Sequence, residues 1–431
     1  MPSKAILRPG EALAAARQIG GAKQLIASDR LVDVEAVFER RDKVTHKWDD
    51  EFFVNLSLKR KCSVVRGKGS LIDEKVLVKN INGQERALLA KHAVVIATGS
   101  DPVIPTEIKG INQINYWTPR DATAANTVPE HLIIVGSGVV GCEMATAFST
   151  FGSKVTMISA TSEVLGRYEP EAGKRVREAL TARNVVFHLS SRVNEAWKES
   201  DGRISAKLIL GQVVTGSTIP IATGRKPRTE GIGLESIGLT SATDVDQSLC
   251  ASSVDRNWLY AIGDANNRAP LTHMGEYQGR IAAAAIIARA AGVDVQAPQP
   301  WSGFAATSDQ VAISQVVVTD PNVATVGLTL AEASKKGIKA VEVASPFNFP
   351  GAWIYAEFEY DGWAQWVVDS ERNMLVGATF VGREVGDLLH ASTVAIVGQV
   401  PLDRLKHAVA SFPTRSEIHG MLLEKWCQMR K

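Results

Sequence analysis

The middle of the chain alternates short apolar runs with amphipathic stretches. Strands are predicted over 132–135, 154–158 and 185–187. A helical stretch follows the first strand and stops at Gly152, and another opens at Pro170, an allowed position in the first turn of a helix. Because parallel strands need helical crossovers, this β-α-β-α-β order predicts a parallel sheet with helices on both faces.

Turn residues divide the flanking regions into further elements. Asn82-Gly83 and Asp201-Gly202 predict two hairpins, the first joining strands at 76–78 and 87–89. Further strands are predicted at 93–97, 218–222, 259–262, 365–368 and 375–380. Helices are predicted after Pro9, over the charged stretch 33–60 and over 275–291, and a linker is predicted at 298–300.

Length and composition limit the classes of protein. A chain of 431 residues predicts two or three domains, and 45% hydrophobic with 22% charged residues is typical of globular proteins. A net charge of +2 gives no reason to expect a nucleic-acid partner. The most apolar run, 281–293, is too short and too interrupted to span a membrane, so we expect no membrane association.

The cysteines and the N-terminus bear on the compartment. Cys62, Cys142, Cys250 and Cys427 form no C-x2-C or C-x4-C pair, and scattered cysteines fit a reducing compartment. The first residues are basic, with Glu11 as the acid, which a transit peptide also shows. We favour a helix there and a cytoplasmic protein.

A glycine-rich turn after the first strand predicts a dinucleotide site. In Gly136-x-Gly138-x-x-Gly141 the first glycine allows a tight turn, the second lets the backbone approach a pyrophosphate, and the third lets helix and strand pack closely. Val139 and Val140 lie in the first helical turn, whose amides and dipole favour an anion. The alternative is a purely structural turn.

The end of the second strand bears on the choice between NAD and NADP. An acid at this position binds the ribose hydroxyls and repels a 2′-phosphate. Ser159 stands here, followed by Ala160 and Thr161. The absence of an acid favours NADP slightly, with NAD remaining open and Arg167 a possible contributor of charge.

Separated motifs carry a resemblance over essentially the whole chain. They are Ala97-Thr-Gly-Ser100, Ala222-Thr-Gly-Arg-Lys-Pro227, Tyr260-Ala-Ile-Gly-Asp264, Val318-Thr-Asp-Pro321 and Val376-Gly-Ala378. In this order they resemble the class I pyridine nucleotide-disulfide oxidoreductases, the dihydrolipoamide dehydrogenase, glutathione reductase and mercuric reductase group. The resemblance implies an FAD flavoprotein and a homodimer formed through the C-terminal domain.

The same resemblance implies the domain organisation. An α/β fold is expected, with two Rossmann-like domains, for FAD (1–118 and 255–312) and for NAD(P) (119–254), and an α+β dimerisation domain (315–431). Pro2-Ser3-Lys4 resembles the segment after the family's redox cysteine pair. On that basis we expect an incomplete FAD domain without its first strand and first G-x-G-x-x-G, and weakened flavin binding. An incompletely annotated gene is the other explanation.

Site residues follow from the resemblance as well. Lys4 would lie near the flavin N5, paired with Glu143, and Asp264 would hydrogen-bond the ribityl chain. Arg225 would line the nicotinamide site. The expected cofactor-binding set is Thr98, Gly99, Gly136, Gly138, Val139, Val140, Gly141, Ser159, Gly224, Arg225, Gly263 and Asp264. The alternatives are a surface lysine, a solvent-facing helix glutamate and an aspartate that only stabilises a turn.

One departure from the family affects the electron acceptor. Thiol-reducing members carry a catalytic histidine in H-P-T-x-x-E, but this chain has Phe412 there and keeps the acid as Glu417. By the resemblance, the expected catalytic residues are Lys4, Glu143 and Glu417. His407 and His419 are out of register. An imidazole is the group that exchanges protons with a thiol near neutral pH, so its loss argues against disulfide reduction.

Two functions remain from the sequence. The first is an FAD-dependent NAD(P)H oxidoreductase that passes hydride from nicotinamide to flavin and on to a small-molecule, non-thiol acceptor. The second is a non-catalytic dinucleotide-binding or scaffold protein derived from that fold.

Overall fold

The protein was analysed as a computed structural model, which describes residues 2–26, 31–242, 244–356 and 361–431. The chain forms two compact units. Unit 1 comprises Met1–Trp48, Pro102–Gly224 and Ser314–Lys431, and unit 2 comprises Asp49–Asp101 and Arg225–Ile313. The three predicted domain ranges stay predictions.

The described residues form helices and strands throughout the chain. The helices are α1 (Pro2–Ala16), α2 (Val34–Val44), α3 (Glu51–Lys59), α4 (Pro119–Ala124), α5 (Val139–Thr150), α6 (Pro170–Ala182), α7 (Thr272–Ala290), α8 (Ser308–Val311), α9 (Leu330–Lys335), α10 (Pro350–Ala356), α11 (Leu389–Val397), α12 (Leu402–Leu405) and α13 (Ile418–Met429). The strands are β1 (Lys68–Ile72), β2 (Lys75–Lys79), β3 (Glu85–Leu89), β4 (Val94–Ile96), β5 (Ser100–Pro102), β6 (His131–Val135), β7 (Lys154–Ile158), β8 (Val186–His188), β9 (Val193–Lys198), β10 (Ile204–Leu208), β11 (Val213–Gly216), β12 (Arg225–Pro227), β13 (Leu259–Ala261), β14 (Ser314–Val317), β15 (Asn322–Gly327), β16 (Ala340–Pro346), β17 (Trp363–Asp369) and β18 (Met374–Gly382).

A parallel sheet in unit 1 confirms the predicted β-α-β-α-β order. Its strand order is β6-β7-β8, and α5 and α6 provide the crossovers. Leu132, Ile133 and Ile134 are fully buried in β6, as expected for a strand covered on both faces. Gly152, with a φ of +96°, follows the end of α5 where the sequence predicted the stop.

The segment 218–222 runs beside β6 but is not a regular strand, so that prediction was wrong in part. Isolated bridges join Leu132 to Thr218 and Val135 to Ile221. Pro220 lies between them and accepts from the backbone N–H of Val135 at 2.9 Å. Because proline has no N–H to donate, it interrupts the ladder at this point.

A mixed α+β region closes unit 1, as predicted for the C-terminal part of the chain. Five antiparallel strands form a sheet in the order β14-β15-β18-β17-β16, and every residue of β17 is buried. Helices α11 and α13 pack on this sheet. The predicted hairpin at Asp201-Gly202 is also present in unit 1, between β9 and β10.

Unit 2 combines a meander with a parallel strand pair. Strands β1, β2 and β3 pair in sequence order, and Gly83 takes a φ of +79° in the predicted turn. Strand β4 pairs in parallel with β13. The strand predicted at 93–97 is therefore present as β4, although its central residue Val95 is 40% exposed.

The first helix begins earlier than the sequence predicted. It starts at Pro2 and includes Pro9 in its interior, where we expected the helix to begin only after this proline. Proline leaves the carbonyl four residues before it without its helical donor. That carbonyl belongs to Ala5, and Nη1 of Arg40 on α2 donates to it at 2.8 Å. A tertiary contact therefore replaces the missing helical hydrogen bond.

The stretch 33–60 forms two α-helices rather than one. Between α2 and α3, His46, Lys47 and Trp48 take φ values of +52°, +54° and +65°. The hydroxyl of Thr45 bonds back to the carbonyl of Arg41 at 3.0 Å at the end of α2. Local side-chain bonding of this kind competes with the helix and favours its end.

Candidate dinucleotide and flavin sites

The turn between β6 and α5 has the geometry of a diphosphate site. Gly136 has a φ of +114°, and a β-carbon there would stand 2.3 Å from the carbonyl oxygen of Ala222. A β-carbon on Gly141 would stand 2.2 Å from the carbonyl oxygen of Gly136. At Gly138 a β-carbon would meet nothing within 4 Å, so open space lies beside it.

The amino end of α5 is available to an anion. Gly138 is its N-cap residue, and no side chain caps the helix. The amides of the first turn, from Val139 to Gly141, and the helix dipole therefore favour negative charge in the open space beside Gly138. The predicted binding of a nucleotide diphosphate at this glycine motif stays a prediction with which the geometry of the turn is compatible.

Three hydroxyl groups meet where β7 ends. Oγ of Ser159 lies 2.7 Å from Oγ of Ser137 and 2.9 Å from Oγ1 of Thr161, and the latter two atoms are 3.1 Å apart. The nearby carboxylate of Glu163 forms an ion pair with Arg177 at 3.2 Å. The sequence analysis did not predict Ser137 as a site residue, because it occupies one of the unspecified positions of the glycine motif.

Lys4 and Glu143 form the predicted ion pair within unit 1. Nζ of Lys4 contacts Oε1 of Glu143, which also accepts from the backbone N–H of Val318 at 3.0 Å. The Glu143 side chain is 3% exposed, whereas that of Lys4 is 48% exposed. Lys4 is therefore not an unpaired surface lysine, and Glu143 is not a helix glutamate that faces solvent. Their predicted role beside a flavin stays a prediction.

A cavity of about 540 Å³ opens beside Lys4. Its lining carries both signs of charge, from Arg8, Arg40, Glu11 and Glu384 among others. Arg8 bonds Glu11 and Glu384 at 3.0 Å each. These contacts largely neutralise the lining charge.

In unit 2, the carboxylate of Asp264 belongs to a hydrogen-bonded chain. The Ser100 hydroxyl donates to Oδ2 of Asp264 at 2.5 Å and accepts from Nε of Arg225 at 2.7 Å. Arg225 also donates to the Ser100 carbonyl at 2.5 Å. Within the described residues, Oδ1 of Asp264 has no hydrogen-bond partner, and the residue is only half-buried. One carboxylate oxygen therefore faces space that a ligand hydroxyl can enter.

The turns around Asp264 require glycine. Gly99 has a φ of +77° and Gly263 one of +63°. A β-carbon on Gly275, in the first turns of α7, would stand 3.4 Å from the α-carbon of Gly263. Helix α7 begins without a side-chain cap. Thr98 is exposed and donates to the carbonyl of Arg228 at 2.6 Å.

Two further candidates occupy local structural positions. Gly224, in unit 1, has a φ of +138° and accepts from the backbone N–H of Val103 at 3.0 Å. Glu417 closes a capping box with Thr414, whose N–H donates to its carboxylate at 3.1 Å. The predicted catalytic role of Glu417 remains a prediction, and the structure gives the side chain a capping contact.

The C-terminal histidines and Phe412 differ sharply in exposure. Phe412 is 73% exposed. His419 is partly buried and packs against core residues of unit 1, with ring centroids 5.8 Å from Trp366 and 5.4 Å from Phe380. Burial lowers the pKa of His419 to about 4. An imidazole with this pKa is almost entirely neutral near pH 7 and is therefore rarely available as a proton donor.

The four cysteines are free thiols. Burial raises the pKa of Cys142 to about 12 and that of Cys250 to about 11. Thiols with such values hold almost no thiolate near neutral pH and are poor nucleophiles. Cys62 and Cys427 are exposed.

Comparison with known proteins identifies the family. Residues 1–279 match the family described as pyridine nucleotide-disulphide oxidoreductase, and residues 313–422 match its dimerisation domain. The chain belongs to this family. The resemblance predicted from the separated motifs is thus confirmed, and the dimerisation domain supports the predicted homodimer.

Curated relatives span most of the chain. A mercuric reductase from Staphylococcus aureus is 28% identical over 97% of this chain and 73% of its own length. A dihydrolipoyl dehydrogenase from Geobacillus stearothermophilus is 28% identical over 83% of this chain and 73% of its own. The family is FAD-dependent and takes NAD(P)H as its nicotinamide substrate, so the predictions of an enzyme and of both cofactors are confirmed.

Solved structures share the fold. LpdA from Mycobacterium tuberculosis gives a TM-score of 0.81 at 22% identity, covering 99% of this chain and 89% of that one. An HOCl-induced flavoprotein disulfide reductase from Escherichia coli gives 0.78 at 21% identity, covering 98% and 89%. The predicted fold class is confirmed. In the described residues, no helix is both long and apolar enough to cross a membrane.

Proposed function

We propose that this family member oxidises NAD(P)H through FAD and delivers the electrons to a small, non-thiol acceptor. Bound nicotinamide supplies a hydride, and bound flavin accepts it and passes electrons on one or two at a time. The protein's part is to bind, to orient and to control protons. The contacts described above support a different role in cofactor binding for each of the two units.

Unit 1 would hold the nicotinamide nucleotide by its diphosphate. The open space beside Gly138 and the uncapped amino end of α5 support this assignment. Unit 2 would hold the ribityl chain of the flavin, because Oδ1 of Asp264 can accept a hydrogen bond from a ribityl hydroxyl while Ser100 fixes Oδ2. Arg225 keeps this serine oriented through its own hydrogen bond.

The single observation that carries the choice of acceptor is the group at position 412. An exposed phenylalanine occupies the place of the family's proton-transferring histidine. The histidine nearest in sequence on the other side of Glu417 is His419, whose pKa is lowered to about 4, so that it is neutral near pH 7. A thiolate leaving group needs a proton donor, whereas a quinone or a dye can accept electrons and take its protons from water.

We also propose that NADPH is used at least as well as NADH. The hydroxyl groups of Ser137, Ser159 and Thr161 stand where an acid would repel the 2′-phosphate, and Glu163 is neutralised by Arg177. Location in the cytoplasm remains a prediction that rests on the scattered free cysteines.

Turnover with two classes of acceptor tests the proposal. Purified protein supplied with FAD should oxidise NAD(P)H with a benzoquinone or dichlorophenolindophenol, and should be at least about a hundredfold slower with dithiobis(nitrobenzoate) or lipoamide disulfide, the size expected for loss of one general acid. Disulfide reduction at the rate of the quinone would contradict the non-thiol acceptor. Nucleotide binding without turnover of any acceptor would support the scaffold alternative instead.

A matched pair of glycine variants separates binding from folding. Gly138→Ala adds a methyl group into open space with an ordinary φ of −77°, so the protein should fold while its nicotinamide nucleotide binding weakens. Gly420→Ala, in α13, also adds a methyl group where nothing lies within 4 Å and should leave binding unchanged. Calorimetry with NADPH and NADH compares the two variants.

A further inference from the structure

A buried polar network lies behind the Gly263–Asp264 turn of unit 2. Oε1 of Gln278, on α7, accepts from the backbone N–H of Gly263 at 2.7 Å and from Nδ2 of Asn266 at 3.0 Å. Its Nε2 donates to Oδ2 of Asp309 at 2.8 Å. Gln278 is fully buried and Asn266 is 2% exposed. One glutamine amide thus holds both ends of the short segment that contains Asp264.

The orientation of this amide is fixed by its neighbours. A backbone N–H can only donate, so the oxygen of Gln278 must face Gly263. The carboxylate of Asp309 can only accept when it is ionised, so the nitrogen must face Asp309. A rotated amide would set donor against donor and acceptor against acceptor at these two contacts.

Asp309 is in turn held by Arg268. Nη2 of Arg268 donates to Oδ1 of Asp309 at 2.7 Å, and its Nη1 donates to the carbonyl of Asp246 at 2.9 Å. Burial raises the pKa of Asp309, and Arg268 counters this by favouring the carboxylate. The backbone N–H of Arg268 donates to Oδ1 of Asn266 at 3.0 Å, which closes the network on itself.

The network reaches the Asp264 backbone, and a separate contact holds its carboxylate. Ser100 bonds Oδ2, whereas Gln278 bonds the residue before Asp264 and the second residue after it. We propose that Gln278 and Asp309 are positioning residues that fix the Gly263–Asp264 turn, so that the free oxygen of Asp264 is directed at the flavin's ribityl hydroxyls. This inference rests on the proposed flavin site in unit 2.

An exchange of the two side chains tests this role. In Gln278→Glu two buried carboxylates would face each other, and in Asp309→Asn the amide nitrogen of Gln278 and the guanidinium of Arg268 would compete for the single side-chain oxygen of the asparagine. The double variant Gln278→Glu/Asp309→Asn can keep every hydrogen bond of the network and its net charge, while the ion pair of Arg268 with Asp309 becomes a hydrogen bond to an amide oxygen. Its glutamate would accept from Gly263 and from the new asparagine, whose oxygen would accept from Arg268.

The measurement is the FAD dissociation constant of the apoprotein, from the change in flavin fluorescence on titration. Each single variant should weaken FAD binding by about tenfold or more, the loss expected from one buried hydrogen bond. The double variant should return to within about threefold of the wild type, which is well inside one such bond. Thermal unfolding without FAD is recorded in parallel.

A neighbouring variant provides the control. Tyr277→Phe removes hydrogen bonds of α7 to the segment 305–308, at 3.2 and 3.3 Å, without touching the Gly263 turn. It should lower thermal stability and leave FAD affinity unchanged.

The outcomes separate this inference from the proposed function. Wild-type protein that takes up no FAD overturns both. Wild-type protein that binds FAD overturns the positioning role alone if the single variants bind equally well, or if the double variant binds no better than they do. If the single variants fail to fold, the double variant still decides, because it must bind FAD like the wild type.

Discussion

The Lys4–Glu143 pair predicts an unusual asymmetry between its two partners. In Lys4→Met the carboxylate of Glu143 stays buried, at 3% exposure, with the Val318 N–H as its remaining partner on Oε1. In Glu143→Gln the amide oxygen can still accept from Val318, and the lysine, which is half exposed, turns to water. The lysine substitution should therefore be the more damaging one.

The magnitudes follow from the exposure of the two side chains. Removing one partner of a fully buried pair costs about 3–5 kcal/mol, and exposed pairs contribute about 0–1 kcal/mol. Since Lys4 is half exposed, we expect Lys4→Met to lower the free energy of unfolding by about 2 kcal/mol. For Glu143→Gln we expect about 1 kcal/mol, the loss of one charged contact with the backbone bond kept.

Urea unfolding followed by tryptophan fluorescence measures these differences. The double variant Lys4→Met/Glu143→Gln should be close to Glu143→Gln alone, because no uncompensated carboxylate remains in it. Equal losses in the two single variants, or losses that add in the double variant, would refute the reasoning. Either result would mean that Glu143 is hydrated and does not depend on Lys4.

Three further predictions follow from other contacts. Ser159→Glu should shift the kcat/KM ratio of NADPH to NADH by about tenfold or more towards NADH, because a carboxylate repels the 2′-phosphate; an unchanged ratio would place the adenosine ribose elsewhere. Folding lowers the pKa of His419 from the ordinary 6.5 to about 4, so the unfolded state binds more protons than the folded state between these pH values. The free energy of unfolding should therefore fall by about 3 kcal/mol as the pH drops through this window. His419→Asn should remove this component from the midpoints of urea unfolding between pH 7 and pH 4, and His407→Asn, at an exposed site, should keep it. Arg40→Met should cost about 1 kcal/mol by urea unfolding, and should cost almost nothing in the Pro9→Ala background, where the helix supplies its own donor.

Elements whose signal is local could be predicted from the sequence. The strand at 132–135 is a continuous apolar run, the strand at 154–158 is rich in β-branched and apolar residues, and Gly136, Gly138 and Gly141 lie within a span of six residues. The geometric demands on these glycines come from the turn itself and from the strand beside it. Hence the strand, the glycine turn and the helix that follows it could be predicted from local sequence, whereas nucleotide binding at this turn stays a prediction.

Elements that depend on a distant donor could not be predicted in this way. We expected α1 to begin only after Pro9, which was too late, because nothing in residues 1–16 reveals that Arg40 donates to the Ala5 carbonyl. Pro220 produced the opposite error, since the apolar run around it predicted a regular strand that its missing N–H interrupts. In both cases one backbone hydrogen bond decides between the local pattern and the observed structure.

The same distinction explains which parts of the candidate site were missed. Asp264 belongs to a short motif that the sequence displays, whereas Gln278 and Asp309 lie 14 and 45 positions beyond it, without a pattern around them. Their importance arises because Gly263 has a buried N–H that must be paired, and a buried glutamine that pairs it needs an acceptor for its own nitrogen. A motif therefore identifies the group that meets the ligand, while the cost of unpaired buried atoms selects the residues that hold it in place.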